Sequence, residues 1–376
     1  MRLAEWSTYP IHLPYPRHIQ WGSTDEHGAD FLLLRLTADD GTVGLAEGVA
    51  KTAWHSVTLR SLAVAIEELF IPLIRDVDLL DEATVTRALG KIREHRLARA
   101  MIDIACWDMR SQARGAPMWQ IWGGDPDVAV SWTVTRQRPE LMAAEAATMV
   151  QRHGFGTLKV KGGQGRDTDR AALRAIRAAV GPTIEMYVDA NSAYPEVEAS
   201  AYLEDLAELG VTLAEDPCRL LPNRAFERLQ RESPIPILVD NGCRSIQDAA
   251  LFIERGARAV SVKLNGTGAS DGMRLAQFAE EHGCAAHVGF MGESSLGAMV
   301  ALQLASALPG RQRNLPAETS FFLTFGEEYV TERVRIAGGR ARLLAEPGLA
   351  RWVDWERVRA FEARPSSVDG GPQHAV

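Results

Sequence analysis

The chain has 376 residues, of which 46% are hydrophobic and 24% charged, and its formal net charge is −8. This acidic composition gives no reason to expect nucleic acid or an anionic membrane as a partner. The apolar runs are too short for a membrane span, and the first residues lack the apolar core of a signal peptide. We therefore expect a cytoplasmic protein whose four scattered cysteines are reduced.

The first third of the sequence has the pattern of an α+β domain. The run FLLLRLTADDGTVGLAEG (31–48) carries the turn signal DDG between two apolar stretches, which predicts a β-hairpin. Helical patterns follow at 61–74 and 97–115. We predict that residues 1–125 form an α+β domain that packs beside the rest of the chain.

One unit recurs from residue 126 to about residue 320. A short apolar run rich in β-branched residues leads into a polar tip and then an amphipathic helix, as in IEMYVDAN (184–191) followed by 195–210. Strands that alternate with helices in this way predict a parallel sheet. About eight such units in roughly 200 residues fit a (β/α)₇₋₈ TIM-type barrel. An open doubly wound sheet is the alternative, but the first strand has no glycine-rich phosphate loop after it.

Polar residues recur where the predicted strands end. In TLKVKGG (157–163), the side-chain period of two places Lys159 and Lys161 on the same face of a strand. Four ionisable residues then follow at intervals of 23 to 28 residues, about one strand–helix unit each: Asp189, Glu215, Asp240 and Lys263. In a barrel all these strand ends meet at one mouth, where active sites form.

Three carboxylates at one mouth would repel one another unless a cation lay among them. A single acid at a strand end is more often a helix N-cap, but Asp189, Glu215 and Asp240 occupy the same position in consecutive units. Hard oxygen ligands select Mg²⁺ or Mn²⁺, and an octahedral ion keeps positions open for water or substrate. The sequence therefore predicts that these three acids bind a Mg²⁺ ion.

The lysines indicate acid–base chemistry beside that ion. Lys161 comes one strand before the acids and Lys263 one strand after them, so a carboxylate substrate would present its α-carbon between two amines. A lysine is an effective base only if its pKa falls from ~10.4 toward ~7–8. The positive charges of Lys159 and of the metal ion would lower the pKa of Lys161, and the metal would stabilise the enolate.

These motifs resemble the enolase superfamily, specifically its muconate-lactonizing-enzyme subgroup. The likeness extends over nearly the whole chain, and its quoted segments are DDGTVGLAEG (39–48), AMIDIACWDMRSQARGAPMWQIWGG (100–124), KVK (159–161), GFMGESSLG (289–297) and AEPGLA (345–350). The resemblance implies that Lys161 is the base, that Lys263 is the base on the opposite face, and that Glu293 lies beside the substrate. It also implies a homo-oligomer.

The resemblance further implies how the chain is divided. Residues 1–125 would be an N-terminal capping domain, 126–325 the barrel with the active site, and 326–365 a C-terminal segment that returns to the cap. The polar segment 366–376 is predicted to be a disordered tail.

The substrate-specificity loops of the subgroup correspond to about 15–30 and 50–58, which would close over the mouth and exclude water. Trp21 and Trp54 in these loops either wall an apolar pocket or pack between the domains. Glu318, at the end of the eighth strand, either meets a cationic group of the substrate or lies at the rim.

Two asparagines and one turn need separate interpretation. Asn191, two residues after Asp189, either orients a carboxylate or lysine or forms an Asx turn. Asn241 stands where the subgroup usually has an acid, which alters the link between the metal and Lys263. After Lys263 the usual short turn is replaced by LNGTGASDG (264–272).

We therefore predict a Mg²⁺-dependent enzyme that removes the proton α to a carboxylate of a small substrate to give a metal-stabilised enolate. The sequence favours a muconate-type cycloisomerase, because it has no evident motif for a substrate amine. A racemase or epimerase of amino-acid derivatives or dipeptides, or a dehydratase, would use the same two lysines. The contrasting hypothesis is a non-catalytic barrel.

Overall fold

The structure, a computed structural model, describes residues 1–22, 24–308 and 315–363. The tail predicted at 366–376 lies outside these residues. Within them, no helix is long and apolar enough to cross a membrane.

The N-terminal part begins with an antiparallel sheet of three strands in the order β1 (Leu3–Trp21), β2 (Thr24–Ala38) and β3 (Val43–Val49). One face of β1 is apolar, since Ile11 and Leu13 are buried while the residues between and after them are exposed. The DDG turn joins β2 to β3, as the sequence predicts.

Helices then cover this sheet and lead to the barrel: α1 (Thr52–His55), α2 (Leu59–Val64), a π-helical turn (Ala65–Phe70), α3 (Ile71–Ile74), α4 (Glu82–Leu89), α5 (Arg96–Ala113) and α6 (Met118–Ile121). The helix predicted at 61–74 is thus interrupted by the π-helical turn. Helix α5 packs so closely on β3 that a Cβ atom at Gly44 would collide with the carbonyl oxygen of Ala105. Only glycine permits this approach.

The barrel follows as a sheet of seven parallel strands that are neighbours in chain order: β5 (Trp132–Val134), β6 (Thr157–Lys161), β7 (Glu185–Asp189), β8 (Ala214–Glu215), β9 (Ile237–Val239), β10 (Ala259–Val262) and β11 (Ala285–Val288). A short eighth segment closes the barrel. The amide of Glu318 donates to the carbonyl of Val288 at 3.0 Å, and Ala317 exchanges hydrogen bonds of 2.9 Å with Ala129 and Ser131 on the first strand's side. The (β/α)₇₋₈ architecture predicted from the repeat is confirmed.

Helices surround the strands: α7 (Pro139–His153), α8 (Arg166–Val180), α9 (Glu196–Glu208), α10 (Arg224–Glu232), α11 (Ile246–Glu254), α12 (Leu264–Glu281) and α13 (Ser295–Ser306). The segment 264–272, which replaces the short turn usual in the subgroup, is the start of α12, and this helix is kinked at Gly268. Asp103 from α5 accepts the amides of Ala269 and Ser270 beyond this kink, at 2.8 and 2.9 Å. The cap helix therefore caps the second half of a barrel helix.

The C-terminal segment returns to the N-terminal sheet. Strand β12 (Ile336–Ala337) pairs with β13 (Arg340–Arg342), which pairs in turn with β4 (Asp127–Ala129). Helix α14 (Trp355–Ala360) follows. The carbonyl of Phe361 then accepts the amide of His12 in β1 at 3.0 Å. The α+β cap is thus completed by residues far along the chain.

Asp108 of α5 joins three parts of the cap. It is buried, and its two oxygens accept the amides of Leu45 in β3 at 3.0 Å and of Leu349 in the C-terminal segment at 2.9 Å. Burial raises the pKa of Asp108 to about 7, although these two hydrogen bonds act in the opposite direction.

The substitution Asp108→Asn should change how stability depends on pH. The folded protein holds this proton up to about pH 7, whereas an unfolded carboxyl group releases it near pH ~4. The free energy of unfolding of the native protein should therefore fall between these pH values, by at most ~1.4 kcal/mol per pH unit from this group. The variant lacks this contribution. The difference in free energy of unfolding between the native protein and the variant should therefore become smaller as the pH rises.

Urea unfolding followed by circular dichroism between pH 4.5 and pH 8 measures this effect. Asp76→Asn, at an exposed position, is the control and should follow the native pH profile. A native–variant difference that does not vary with pH would contradict the assignment.

Candidate active site

The register of the parallel strands brings the predicted residues together. Lys161 in β6 pairs with Asp189 in β7, and Asp189 pairs with Glu215 in β8. Glu215 pairs with Leu238, so Asp240 comes two residues later at the end of β9. Lys263 directly follows β10. All five side chains therefore start from the C-terminal ends of consecutive strands, which is the catalytic face of such barrels.

The lysine ammonium groups contact the carboxylates directly. Nζ of Lys159 lies 2.6 Å from Glu215 and 3.1 Å from Asp189. Nζ of Lys161 lies 2.5 Å from Oδ2 of Asp189. On the other side of the acids, Nζ of Lys263 lies 2.5 Å from Oδ2 of Asp240. The predicted acids and lysines thus form two contact groups on neighbouring strands, one around Lys159 and one made of Lys263 and Asp240.

The lysines differ in their electrostatic surroundings. Burial lowers the pKa of Lys161, and the charge of Lys159 lowers it further, while Asp189 opposes both. Burial also acts to lower the pKa of Lys263, but the charges of Asp240 and Glu215 outweigh it and raise that pKa. Lys161 is therefore the amine that more readily loses its proton and becomes available as a general base, whereas Lys263 stays protonated.

The oxygen atoms at the mouth fit a hard divalent cation. Oδ1 of Asp240 and Oε2 of Glu215 are buried and accept no hydrogen bond from the described part of the chain, although Lys159 lies beside Oε2. In that same part, no three Asp, Glu, His or Cys side chains are grouped as metal ligands. The lysine nitrogens lie against Asp189 and Glu215. Carboxylate oxygens with unused lone pairs are the donors that Mg²⁺ prefers.

Strained backbone positions support two of the acids. Asp216 has φ of 38°, and its carboxylate accepts the amides of Asp240 at 3.1 Å and Asn241 at 2.8 Å. Burial, followed by the charge of Asp240, raises the pKa of Asp216 to about 7. Asp216 thereby fixes the strand end that carries Asp240. The sequence analysis missed this residue, because its effect passes through backbone amides of another strand.

Asn191 holds the other end of the cluster. Its φ is 49°, its backbone amide donates to Oδ1 of Asp189 at 2.8 Å, and its side-chain amide donates to Oδ2 at 3.1 Å. Its Oδ1 also accepts from Nζ of Lys161 at 3.4 Å. Both interpretations of Asn191 from the sequence therefore correspond to contacts in the structure.

A cavity with about 430 Å³ of empty space lies above this network. It is lined by Trp21, Lys51, Trp54, Lys159, Lys161, Asn191, Asp240, Asn241, Lys263, Phe290 and Met291. Most of these residues were predicted from the sequence. Lys51, Phe290 and Met291 were not.

Trp21 is both a cavity wall and a packing residue. Its ring meets Phe321 edge to face at 4.7 Å between ring centres, and its Nε1 donates to Glu26 at 3.0 Å. Nζ of Lys161 and Nζ of Lys51 each lie 5.6 Å from the ring centre. A cation at this distance from an indole is stabilised by the ring. Trp54 lines the cavity from helix α1, not from a loop as expected, and is half-buried.

Lys51 could have been found from a compositional signal. The chain has 41 lysine and arginine residues, and only five of them are lysines. Four of these five line the one cavity: Lys51, Lys159, Lys161 and Lys263. Ordinary surface charge in this protein is carried by arginine, so each lysine is a candidate for the site.

Two predicted substrate contacts lie away from the cavity lining. Both carboxylate oxygens of Glu318 lie 2.9 Å from Nζ of Lys159, and Oε1 also contacts Tyr187 at 2.7 Å and His287 at 3.0 Å. Glu318 therefore supports Lys159 from its inner side, and His287 is part of that support. The oxygens of Glu293 bind the amide of Met291 at 2.9 Å and the side-chain amide of Asn265. Direct contact of Glu293 or Glu318 with a substrate stays a prediction.

The substitution Lys159→Met should destabilise the protein in metal-free buffer. It would leave three buried carboxylates without the ammonium group that contacts them all. Removing one partner of a buried ionic network typically costs ~3–5 kcal/mol. Chemical unfolding measures the loss, and Lys91→Met at an exposed position is the control. If the Lys159→Met variant and the native protein had equal free energies of unfolding, the contacts of Lys159 would not stabilise the fold.

A parallel barrel with acids and lysines at its mouth, covered by an α+β cap, defines an enolase-type enzyme fold. The sequence agrees. Residues 7–123 match the family described as "Mandelate racemase / muconate lactonizing enzyme, N-terminal domain", and residues 141–357 match "Enolase C-terminal domain-like". The chain belongs to the mandelate racemase/muconate lactonizing enzyme family of the enolase superfamily.

Relatives within the family carry out different reactions. A hydrophobic dipeptide epimerase of Enterococcus faecalis is 30% identical over 305 residues, which is 80% of this chain and 84% of that protein. The crystal structure of a muconate lactonizing enzyme from Mycobacterium smegmatis, complexed with muconolactone, superposes with a TM-score of 0.92 at 26% identity and covers 97% of this chain and 100% of that one.

A third comparison includes a metal. The structure of a dipeptide epimerase from Enterococcus faecalis, complexed with Mg and the dipeptide L-Leu-L-Tyr, superposes with a TM-score of 0.86 at 26% identity and covers 93% of this chain and 99% of that one. All three relatives are isomerases, and family membership assigns this chain to the same class of enzyme.

Proposed function

We propose that the protein transfers a proton at the carbon α to a carboxylate, with Mg²⁺ or Mn²⁺ held by Asp189, Glu215 and Asp240. The observation that carries the proposal is the placement of Lys161 and Lys263, each 2.5 Å from a different acid and on strands that flank all three acids. A carboxylate anchored at the acids would present its α-carbon between the two Nζ atoms.

Different side chains of the protein would have different roles in this reaction. A bound divalent ion supplies Lewis-acid stabilisation of the negative charge that develops on the substrate carboxylate. Lys161, with its lowered pKa, takes up or returns the α-proton, and Asn191 holds it in position against Asp189. Lys159 stays charged, because three carboxylates surround it. Trp21 and Phe290 make one wall of the cavity apolar and exclude water from it.

Lys51 supports a cycloisomerase acting on a dicarboxylate. Its ammonium group is buried in the same cavity as the acid cluster and is paired with Glu26 beside Trp21. A muconate-type substrate has two carboxylates. If one lies at the acids, the second would meet Lys51 on the cap side and share this cation with Glu26. The muconolactone complex of the related lactonizing enzyme is consistent with a substrate of this class.

An adjoining chamber supports the second candidate, a racemase or epimerase of amino-acid derivatives or dipeptides. The chamber has about 1600 Å³ of empty space and shares Trp54, Asn241 and Met291 with the smaller cavity. A substrate with a long tail, such as a dipeptide, would fit there, whereas a muconate would not need it. The related epimerase with a bound dipeptide fits this candidate.

Reaction in D₂O tests the proposal and separates the two candidates. With Mg²⁺ present, a cycloisomerase should convert cis,cis-muconate into a lactone that carries one deuterium on the carbon α to its remaining carboxylate. A racemase should instead place deuterium at the α-carbon of the inverted product. The substitution Lys161→Met should lower either rate by ~10²–10⁴-fold, the usual contribution of general acid–base catalysis, and EDTA should abolish both.

Lys263→Met gives the decisive difference. A two-base racemase should lose inversion in this variant, whereas a cycloisomerase that uses Lys161 alone for proton transfer should keep deuterium delivery. Lys91→Met should behave as the native protein. Mass spectrometry would measure deuterium incorporation into a panel of muconates, dipeptides and N-acyl amino acids. Failure to find deuterium in any of them would favour the non-catalytic barrel.

The substitution Lys51→Met should discriminate between substrates. Loss of one charged hydrogen bond costs ~1.5–3 kcal/mol, so the KM for a dicarboxylate should rise ~10–100-fold. The KM for a monocarboxylate with the same reacting group should change little. Steady-state kinetics on such a matched pair measures this, with Lys91→Met as control. An equal loss on both substrates would mean that Lys51 has no role in recognising a second carboxylate.

A further inference from the structure

Arg136 occupies an unusual position at the end of the first barrel strand, two residues after β5. It is only 7% exposed, and its guanidinium donates to three backbone carbonyls. Nε binds Gly162 at 2.6 Å, one Nη binds Ala190 at 3.2 Å, and the other Nη binds Gly22. The three carbonyls belong to three separate segments of the chain.

The burial of this cation needs an explanation. Burial lowers the pKa of Arg136, and the charges of Asp189 and Asp169 act in the opposite direction. Neither carboxylate forms an ion pair with it among residues 1–22, 24–308 and 315–363, and burying a charge without a direct partner is costly. A side chain that served only to fill space would be apolar. The guanidinium of Arg136 uses three separate nitrogens, each for a different carbonyl. The three donors of a lysine share one nitrogen and reach a much smaller region.

Each of the three carbonyls is next to a residue of the candidate site. Gly162 follows Lys161, Ala190 follows Asp189, and Gly22 follows Trp21. The ring of Trp21 in turn forms a cation–π contact with the ammonium group of Lys161. The side chain of Arg136 is therefore hydrogen-bonded to the backbone next to Lys161, next to Asp189 and next to Trp21. We call the end of β1 and the start of its turn, Trp21–Gly22, the cap loop.

The space around the guanidinium is tightly defined. Gly163 has φ of +83°, and a Cβ atom at this position would collide with Nη of Arg136 and lie 2.7 Å from the carbonyl oxygen of Ala190. Glycine at 163 thus lets the loop after β6 pass against the guanidinium. A shift of Arg136 would displace the ends of β6 and β7 and the cap loop together.

We propose that Arg136 is a positioning residue that links the cap loop at Trp21–Gly22 to the placement of Lys161 and Asp189. The inference rests on the proposed function, because proton transfer by Lys161 is the step that this coupling serves. It differs from a purely structural anchor in what it predicts: loss of Arg136 impairs turnover more than it impairs folding.

The variants Arg136→Met and Arg136→Lys test it, with Arg138→Met at an exposed position two residues away as the matched control. Two quantities are measured on the full chain with Mg²⁺. Hydrogen–deuterium exchange of the peptide covering 19–26 reports on the cap loop and needs no substrate. The rate of α-proton exchange on the best carboxylate of the panel reports on kcat and KM.

We expect Arg136→Met to speed amide exchange in 19–26 by at least ~10-fold and to lower kcat by at least ~100-fold, with a smaller change in KM. Its Tm should fall because three carbonyls lose their donor, but kcat should fall further than in an unrelated core substitution with the same loss of Tm. Arg136→Lys keeps the charge and one hydrogen bond, so it should fold even if the methionine variant does not, and it should show the same two effects more weakly. Arg138→Met should match the native protein.

The outcomes separate the two proposals. Native kcat or native protection of 19–26 in both Arg136 variants would overturn the coupling. A fall in Tm and kcat to the same extent as for an unrelated core substitution would also overturn it, since that is the behaviour of a structural anchor. If the native protein itself exchanges no α-proton, the proposed function fails. In that case faster amide exchange at 19–26 in the variants still supports the mechanical link.

Discussion

Charge balance at the barrel mouth is the constraint on which the rest of the structure depends. Asp189, Glu215 and Glu318 are each about 1% exposed and all contact the ammonium group of Lys159. Burying three like charges is unfavourable unless cations lie among them. The strand register forces the acids together, so the lysines are required before any ligand binds. A divalent ion at the mouth would take over part of this neutralisation and free the amines for other contacts.

The same network explains why the two flanking lysines differ. Lys161 shares Asp189 with Lys159, and the neighbouring positive charge and burial lower its pKa. Lys263 has Asp240 beside it and no second lysine in contact among the described residues, so its charged form is favoured. The closeness of the two lysines in KVK therefore affects the protonation of Lys161. Two amines on one face of a strand are unfavourable as packing, but the charge of Lys159 helps Lys161 to lose its proton.

Much of this could be predicted from the sequence, because the relevant signals are local or periodic. The interval of one strand–helix unit between Asp189, Glu215 and Asp240 is enough to place them at one mouth, and the DDG turn identifies the cap hairpin. Arg136 and Asp216 could not be found in this way. Both act on backbone atoms of other strands, and a hydrogen bond to a backbone atom leaves no pattern in residue type. The kink of α12 at Gly268 was missed for a related reason, since the capping side chain comes from Asp103 in another domain.

The closing segment links the architecture of the barrel to its chemistry. The backbone of Glu318 bonds to β11 and completes the ring of strands, while its side chain bonds to Lys159, Tyr187 and His287 inside that ring. If the eighth segment moved away, Lys159 would lose one of its three carboxylates and the barrel would open at the same place. The assembly of the fold and the placement of the central ammonium group therefore depend on one residue.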